Sequence, residues 1–173
     1  MGRTALLVVD MLYDFINEDG ALYCGDSAKA IVDRVAWAIR SARERGEPVI
    51  FICDNHKEGD REFEMFPVHC IAGSRGAAIL PEIAPEPGDH IIKKRRYSGF
   101  YGTDLDLTLR EAGVEHVVLV GVCTNICVLY TAADARMRNY RVTVLKDAVA
   151  SFDEGSHQWA LKEMESTLGV EVV

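Results

Sequence analysis

Six short apolar runs, mostly β-branched, recur along the chain: "ALLVV" (5–9), "PVIFI" (48–52), "HIIK" (90–93), "HVVLV" (116–120), "RVTVL" (141–145) and "VEVV" (170–173). Continuous rather than alternating apolar character predicts strands covered on both faces. Helical spacing fills the gaps. In 28–45, Ile31, Val32, Val35 and Ile39 share a face, and the pattern stops at Gly46 before Pro48. A short helix is predicted over 104–112, closed by Gly113, an apolar one over 125–138, and a last one over 155–168, stopped by Gly169. Strands alternating with helices predict an α/β fold: three layers, Rossmann-like, around a mainly parallel six-stranded sheet. The irregular section from Asp54 to Pro87 is long for a compact domain and rich in Pro, Gly and charge, which favours a functional loop.

Length and charge narrow the classes. A chain of 173 residues suits one domain over 1–173. A formal charge of −8 argues against a nucleic-acid surface. The opening apolar run is too short to span a membrane and shows no signal-peptide cleavage pattern, so a cytoplasmic protein is expected. Five cysteines, at 24, 53, 70, 123 and 127, make an odd count without C-x-x-C spacing. That disfavours both a disulfide framework and a zinc knuckle, and leaves buried hydrophobic thiols as the plain reading for most of them.

Ligands of open α/β sheets lie beyond the carboxyl ends of the strands. Asp10 ends the first strand, Asp54 and His56 follow the second, Lys94 ends the third, and the Cys123/Cys127 loop follows the fourth. Each has a plain alternative. Asp10 reads as a strand-end cap or as a general base. "KKRR" (93–96) reads as a solvated basic face, or as a run in which strand alternation turns one lysine inward. Cys127, at a predicted helix start, reads as a buried thiol or as a nucleophile whose thiolate the helix terminus favours. Asp54, His56 and His69 read as exposed loop residues or as a mixed O/N ligand set for Zn²⁺, Fe²⁺ or Mn²⁺. His90, His116 and His157 are expected at strand starts or on helix surfaces.

The motifs "VVDMLYDF", "KKRRYSGF", "GVCTNICV" and "DAVASFDEGSHQWAL", spread over nearly the whole chain, resemble the isochorismatase-like cysteine hydrolase superfamily. The resemblance implies an Asp10–Lys94–Cys127 triad. It also implies an oxyanion hole from the backbone N–H groups of Cys123 and Cys127, with a cis peptide at Val122–Cys123. "DNH" and "FPVHCIAGSRGA" are most similar to the metal-site segments of nicotinamidases. That likeness implies Asp54, His56 and His69 as ligands of a divalent metal, Zn first with Fe or Mn as options, and Glu62 or Glu64 as a further ligand. It implies Phe15, Phe66 and Tyr101 as pocket aromatics, and a metal that holds a pyridine nitrogen and two waters. The activity implied is hydrolysis of nicotinamide to nicotinate and ammonia in NAD salvage. The partners implied are a small amide substrate and further copies of the chain, as a dimer or higher homo-oligomer. Leu12 in place of a common glutamine, Phe66 in place of tryptophan, and "CDNH" in place of a tryptophan-containing segment leave the preferred amide open. Two rivals stand beside this reading: an amidase for another small amide or ureido compound, and a non-catalytic metal-binding or small-molecule-binding α/β protein.

Overall fold

A computed structural model describes residues 2–173. Its sheet contains β1 (Arg3–Val9), β2 (Val49–Asp54), β3 (His90–Lys94), β4 (Val114–Val122), β5 (Arg141–Ala150) and β6 (Glu171–Val172) in the order β3-β2-β1-β4-β5-β6. Every pairing is parallel, so the sheet is parallel throughout. Helices α1 (Tyr13–Ile16), α2 (Asp26–Ala30) and α3 (Val32–Glu44) belong to one half of the chain, and α4 (Leu105–Glu111), α5 (Leu129–Met137) and α6 (Glu154–Ser166) to the other.

The strand alternation sorts the core into two. Leu6 and Val8 of β1 join Val35, Ile39 and Phe51 on one face, whereas Ala5, Leu7 and Val9 join Leu105, Leu119 and Met164 on the other. Burial on both faces is what continuous apolar runs require, since each side of the sheet is shielded by helices. Among the described residues, no helix is long and apolar enough to cross a membrane.

Three expectations needed adjustment. The 28–45 helix is two pieces, meeting at Ile31. The 125–138 helix opens with a wide π-helical turn, Thr124–Val128, in which the Val128 N–H reaches back to the Cys123 carbonyl at 3.2 Å. β5 runs on to Ala150, through Lys146 and Asp147, with an irregularity in its pairing to β4. The Asp54–Pro87 section is ordered around three short 3₁₀ turns.

Strand order and register together position the site. The order reverses between β1 and β4, which is where a parallel sheet opens a crevice at its carboxyl edge. Val9 pairs with both Ile52 and Gly121, and Asp54 pairs with Lys94. The four strand ends therefore deliver Asp10, Asp54, Lys94 and the Cys123 loop side by side. Gly121 makes this approach possible. It lies at φ +115, and a Cβ there would sit 2.0 Å from the Val9 carbonyl oxygen.

Candidate active site

Lys94 sits at the centre of the strand ends. Strand alternation leaves Lys93 exposed and turns Lys94 inward, to 2% exposure. Its ammonium donates to Asp54 Oδ1, lies 2.9 Å from Asp10 Oδ2, and donates to Cys127 Sγ at 3.5 Å. Asp10, Asp54 and Cys127 each bring an oxygen or sulfur within 4.8 Å of the others. That trio resembles a cation site, and the Lys94 ammonium is the cation it holds. Asp10 takes the left-handed conformation, φ 50, which aspartate tolerates better than most residues. Its Oδ1 accepts the Asp54 N–H at 2.8 Å, while Oδ2 has no aligned hydrogen-bond donor. Oδ1 is thus tied to the backbone, and Oδ2, which meets the Lys94 ammonium at 2.9 Å, is the oxygen left to take a proton.

The electrostatics separate the groups. Burial, reinforced by the Asp54 charge, pushes the Asp10 carboxyl up to about 6, with Lys94 offsetting part of the rise. Burial acts the same way on Asp54, but the Lys94 charge, with the His56 and His69 rings beside it, outweighs burial and holds Asp54 well below the usual carboxylate range. Burial disfavours the charge on the Lys94 ammonium, but Asp10 and Asp54 together outweigh it and raise its pKa well above the ordinary lysine value, so Lys94 stays charged. Burial pushes the Cys127 thiol well above its ordinary value, against the pull of Lys94. Near neutral pH the resting state is therefore thiol, carboxylate and ammonium, with a thiol proton that Asp10 can receive.

Cys127 lies in the π-helical turn ahead of α5 rather than at the first residue of a helix. The Val122–Cys123 peptide is cis. Among the described residues the Cys123 N–H has no hydrogen-bond acceptor, and it sits just ahead of the Cys127 turn. Thr124, fully buried, holds this turn through a 2.8 Å contact with His157 Nδ1. His157 lies on α6, half-buried, and its ring anchors the loop. All five cysteines are buried and unpaired in disulfides, and the Cys24 and Cys123 sulfurs touch at 3.3 Å.

Beside this group, Asp54, His56, Glu62 and His69 bring ligand-type atoms within 4.8 Å of one another, all buried. Asp54 Oδ2 is 3.6 Å from both His56 Nε2 and His69 Nε2, and His56 Nε2 is 3.8 Å from Glu62 Oε1. Bonds of about 2.0–2.2 Å to one ion would place neighbouring ligand atoms at roughly such spacings. His69 Nδ1 lies 2.7 Å from the Pro67 carbonyl. A carbonyl only accepts, so Nδ1 carries the hydrogen and the Nε2 lone pair faces the cluster. Buried His56 Nε2 has no hydrogen-bond partner, which is costly unless a cation completes it. Two imidazole nitrogens and two carboxylates suit a divalent transition metal. Of the two glutamates considered, Glu62 is the one that points into the cluster, and the Glu64 side chain is 68% exposed.

A pocket joins the two clusters, lined by Phe15, Leu22, Asp54, Glu62, Phe66, His69, Tyr97, Val122, Cys123, Ile126, Cys127 and Phe152. Phe15 and Phe66 are on its wall as expected. Tyr101 is not: it is 68% exposed and lines a separate groove with Asn55, Lys93 and Arg95. The tyrosine on the wall is Tyr97, because the chain turns sharply after Lys94 and brings the "RRYSGF" tyrosine over the site. Its ring lies 6.2 Å from Phe66 and 5.6 Å from Tyr130. Leu22, Ile126 and Phe152 carry no reactive group, and no sequence signal marked them.

A buried thiol, a carboxylate and an ammonium, gathered at the crevice of a parallel sheet, are the parts of a nucleophilic hydrolase. The isochorismatase domain matches residues 4–173, and the chain belongs to the isochorismatase family, in agreement with its motifs. It is 39% identical to the pyrazinamidase/nicotinamidase of Streptococcus mutans UA159, over 98% of this chain and 99% of that one, with a TM-score of 0.94. It is 38% identical to N-carbamoylsarcosine amidase from Thermoplasma acidophilum (98% and 95% covered, TM-score 0.90). It is 35% identical to the pyrazinamidase of Pyrococcus horikoshii, whose structure is a complex with zinc (99% and 98% covered, TM-score 0.93). The chain is thus an isochorismatase-family amidohydrolase. Relatives at nearly equal identity are named for different amides, so identity does not choose its substrate.

Proposed function

We propose that this protein hydrolyses nicotinamide to nicotinate and ammonia through a thioester on Cys127, with a divalent metal, zinc first among the candidates, held by Asp54, His56, Glu62 and His69. The observation that carries the substrate choice is the pocket wall. Its ionisable members beyond the Cys123 and Cys127 thiols and Tyr97 are Asp54, Glu62 and His69 of the cluster, and the remainder is apolar or aromatic. A flat, uncharged ring finds partners in Phe15, Phe66 and Tyr97. A carbamoyl amino acid brings a carboxylate, and on this wall it meets carboxylates in place of an arginine or lysine.

In the proposed reaction, Oδ2 of Asp10 takes the Cys127 proton as sulfur bonds to the amide carbon. Lys94, in contact with sulfur and both carboxylates, stabilises the charge while the proton moves. The backbone N–H groups of Cys123 and Cys127 receive the negative carbonyl oxygen. Asp10 returns its proton to the amide nitrogen as the C–N bond breaks and ammonia leaves. Water then attacks the thioester with Asp10 as base, releasing nicotinate and restoring the thiol. When bound, the metal supplies a Lewis-acidic position for the ring nitrogen, which orients the amide.

Ammonia release from nicotinamide, pyrazinamide, N-carbamoylsarcosine and an aliphatic amide tests the substrate. The expected kcat/KM for the two aromatic amides is on the order of 10²-fold or more above the others, and falls on chelation. Equal or better turnover of the carbamoyl or aliphatic amide removes the nicotinamide reading and leaves the amidohydrolase class standing.

A proton acceptor pushed up to about 6 sets the acid limb of the rate profile. Activity is expected to fall as pH drops below about 6, because Asp10 then arrives already protonated. The same shift opposes folding above the unfolded-state value of 3.8, since the folded carboxyl holds its proton more tightly. Asp10→Asn keeps the oxygen that accepts the Asp54 N–H. It is expected to gain stability, by at most about 3 kcal/mol at neutral pH, while losing turnover. Urea unfolding beside the ammonia assay reads both.

A further inference from the structure

The run "KKRR" contains more than the central lysine. Arg96 leaves the end of β3 two residues beyond Lys94, and its Nη1 donates to Asp60 Oδ1 at 2.8 Å. Asp60 is 4% exposed. Its Oδ2 lies 3.3 Å from His56 Nδ1, and its Oδ1 also accepts the Glu62 N–H at 3.2 Å. Arg96 reaches Glu62 Oε2 as well, at 3.8 Å, and Arg95 Nε lies 3.7 Å from Asp60 Oδ2. One buried carboxylate thus touches two of the four residues that face the candidate metal, and one guanidinium ties that carboxylate to the strand that delivers Lys94.

We propose that Asp60 and Arg96 are positioning residues for the metal. Asp60 accepts the Nδ1 hydrogen of His56, which leaves the Nε2 lone pair aimed into the cluster. Through the Glu62 N–H it also fixes the start of the 3₁₀ turn Arg61–Glu64, and with it the direction of the Glu62 side chain. Arg96 balances the Asp60 charge and fixes the carboxylate's orientation. The metal loop and the lysine strand are thereby set in one frame, so that an amide oriented by one meets the thiol beside the other. Neither residue touches substrate.

The inference rests on the metal reading above, and its test reads the metal directly. Zn²⁺ affinity of the full chain is measured by competition with a chromophoric chelator, and the visible absorption of the Co²⁺-loaded protein is recorded. Asp60→Asn is expected to weaken Zn²⁺ binding by about 10–100-fold. Arg96→Gln shifts it the same way by less, and Arg96→Lys recovers part of that loss. The Co²⁺ bands change in Asp60→Asn, and thermal unfolding of the metal-free variants reports the fold separately. Arg96 is partly exposed, so its variants keep the test open if Asp60→Asn does not fold. Wild-type affinity and wild-type Co²⁺ spectra in Asp60→Asn and Arg96→Gln overturn the proposal, as does lower metal-free stability with unchanged Zn²⁺ affinity. Wild-type protein that binds neither ion overturns the metal reading itself, a result distinct from the other two.

Discussion

Cys127→Ala is expected to lose amide hydrolysis by at least about 10³-fold, whereas Cys123→Ala loses less than about tenfold. The two thiols stand four residues apart in one buried turn, yet their surroundings differ. Cys127 Sγ receives a hydrogen bond from Lys94 and lies within 4.8 Å of an Asp10 oxygen. Cys123 Sγ instead touches the Cys24 sulfur at 3.3 Å, away from the ammonium. The Cys24 contact, and burial after it, push the Cys123 thiol well above its ordinary value, opposed only by a contact with Ser151. The part proposed for it in the reaction is the backbone N–H, which alanine keeps. Steady-state ammonia release on both variants gives the ratio. Equal losses would mean that both sulfurs act, or that the loop rather than the nucleophile was damaged, and circular dichroism of the two variants separates those outcomes.

Lys94→Met is expected to be the most destabilising change at the site, by about 3–5 kcal/mol at neutral pH, with activity lost as well. Lys94 is enclosed, and its ammonium contacts Asp10 and Asp54 together. Removing it leaves two buried carboxylates within 4.8 Å of each other and no cation between them. They respond by keeping protons at higher pH than carboxyls in water, so the loss shrinks as pH falls and they are neutralised. Urea unfolding at neutral pH and near pH 5 checks both magnitude and sign. A loss that stayed constant with pH would assign the cost to packing of the lysine stem rather than to its charge.

The centre of the sheet was legible because β1, β2 and most of β4 are buried on both faces, which writes them as unbroken apolar runs. Alternation made it legible that one of the two adjacent lysines turns inward, and the resemblance carried by "RRYSGF" picked Lys94 over Lys93. Other features needed the fold. A 3₁₀ turn places Glu62 and Glu64 in different directions, and only the packing of Arg61–Glu64 against His56 shows which one faces the cluster. Tyr97 and Tyr101 are four residues apart in a segment without periodicity, so their directions follow from the turn after β3. The π-helical turn adds a residue to the backbone loop before α5, which places Cys127 inside a turn that periodicity reads as ordinary helix. The charged residues Lys146 and Asp147 hid the second half of β5, where its pairing with β4 becomes irregular. Asp60 carried no motif of its own; what marks it is the convergence of His56, Glu62 and Arg96 on one carboxylate.

The central claim is a thioester between Cys127 and an aromatic acyl group. Its most direct test is peptide mass analysis of enzyme quenched in acid during steady-state turnover of nicotinamide. The account predicts one nicotinoyl group on the peptide that contains Cys127, lost on treatment with hydroxylamine and absent from Cys127→Ala. Acylation of any other residue, or nicotinamide turnover that persists in Cys127→Ala, would contradict it.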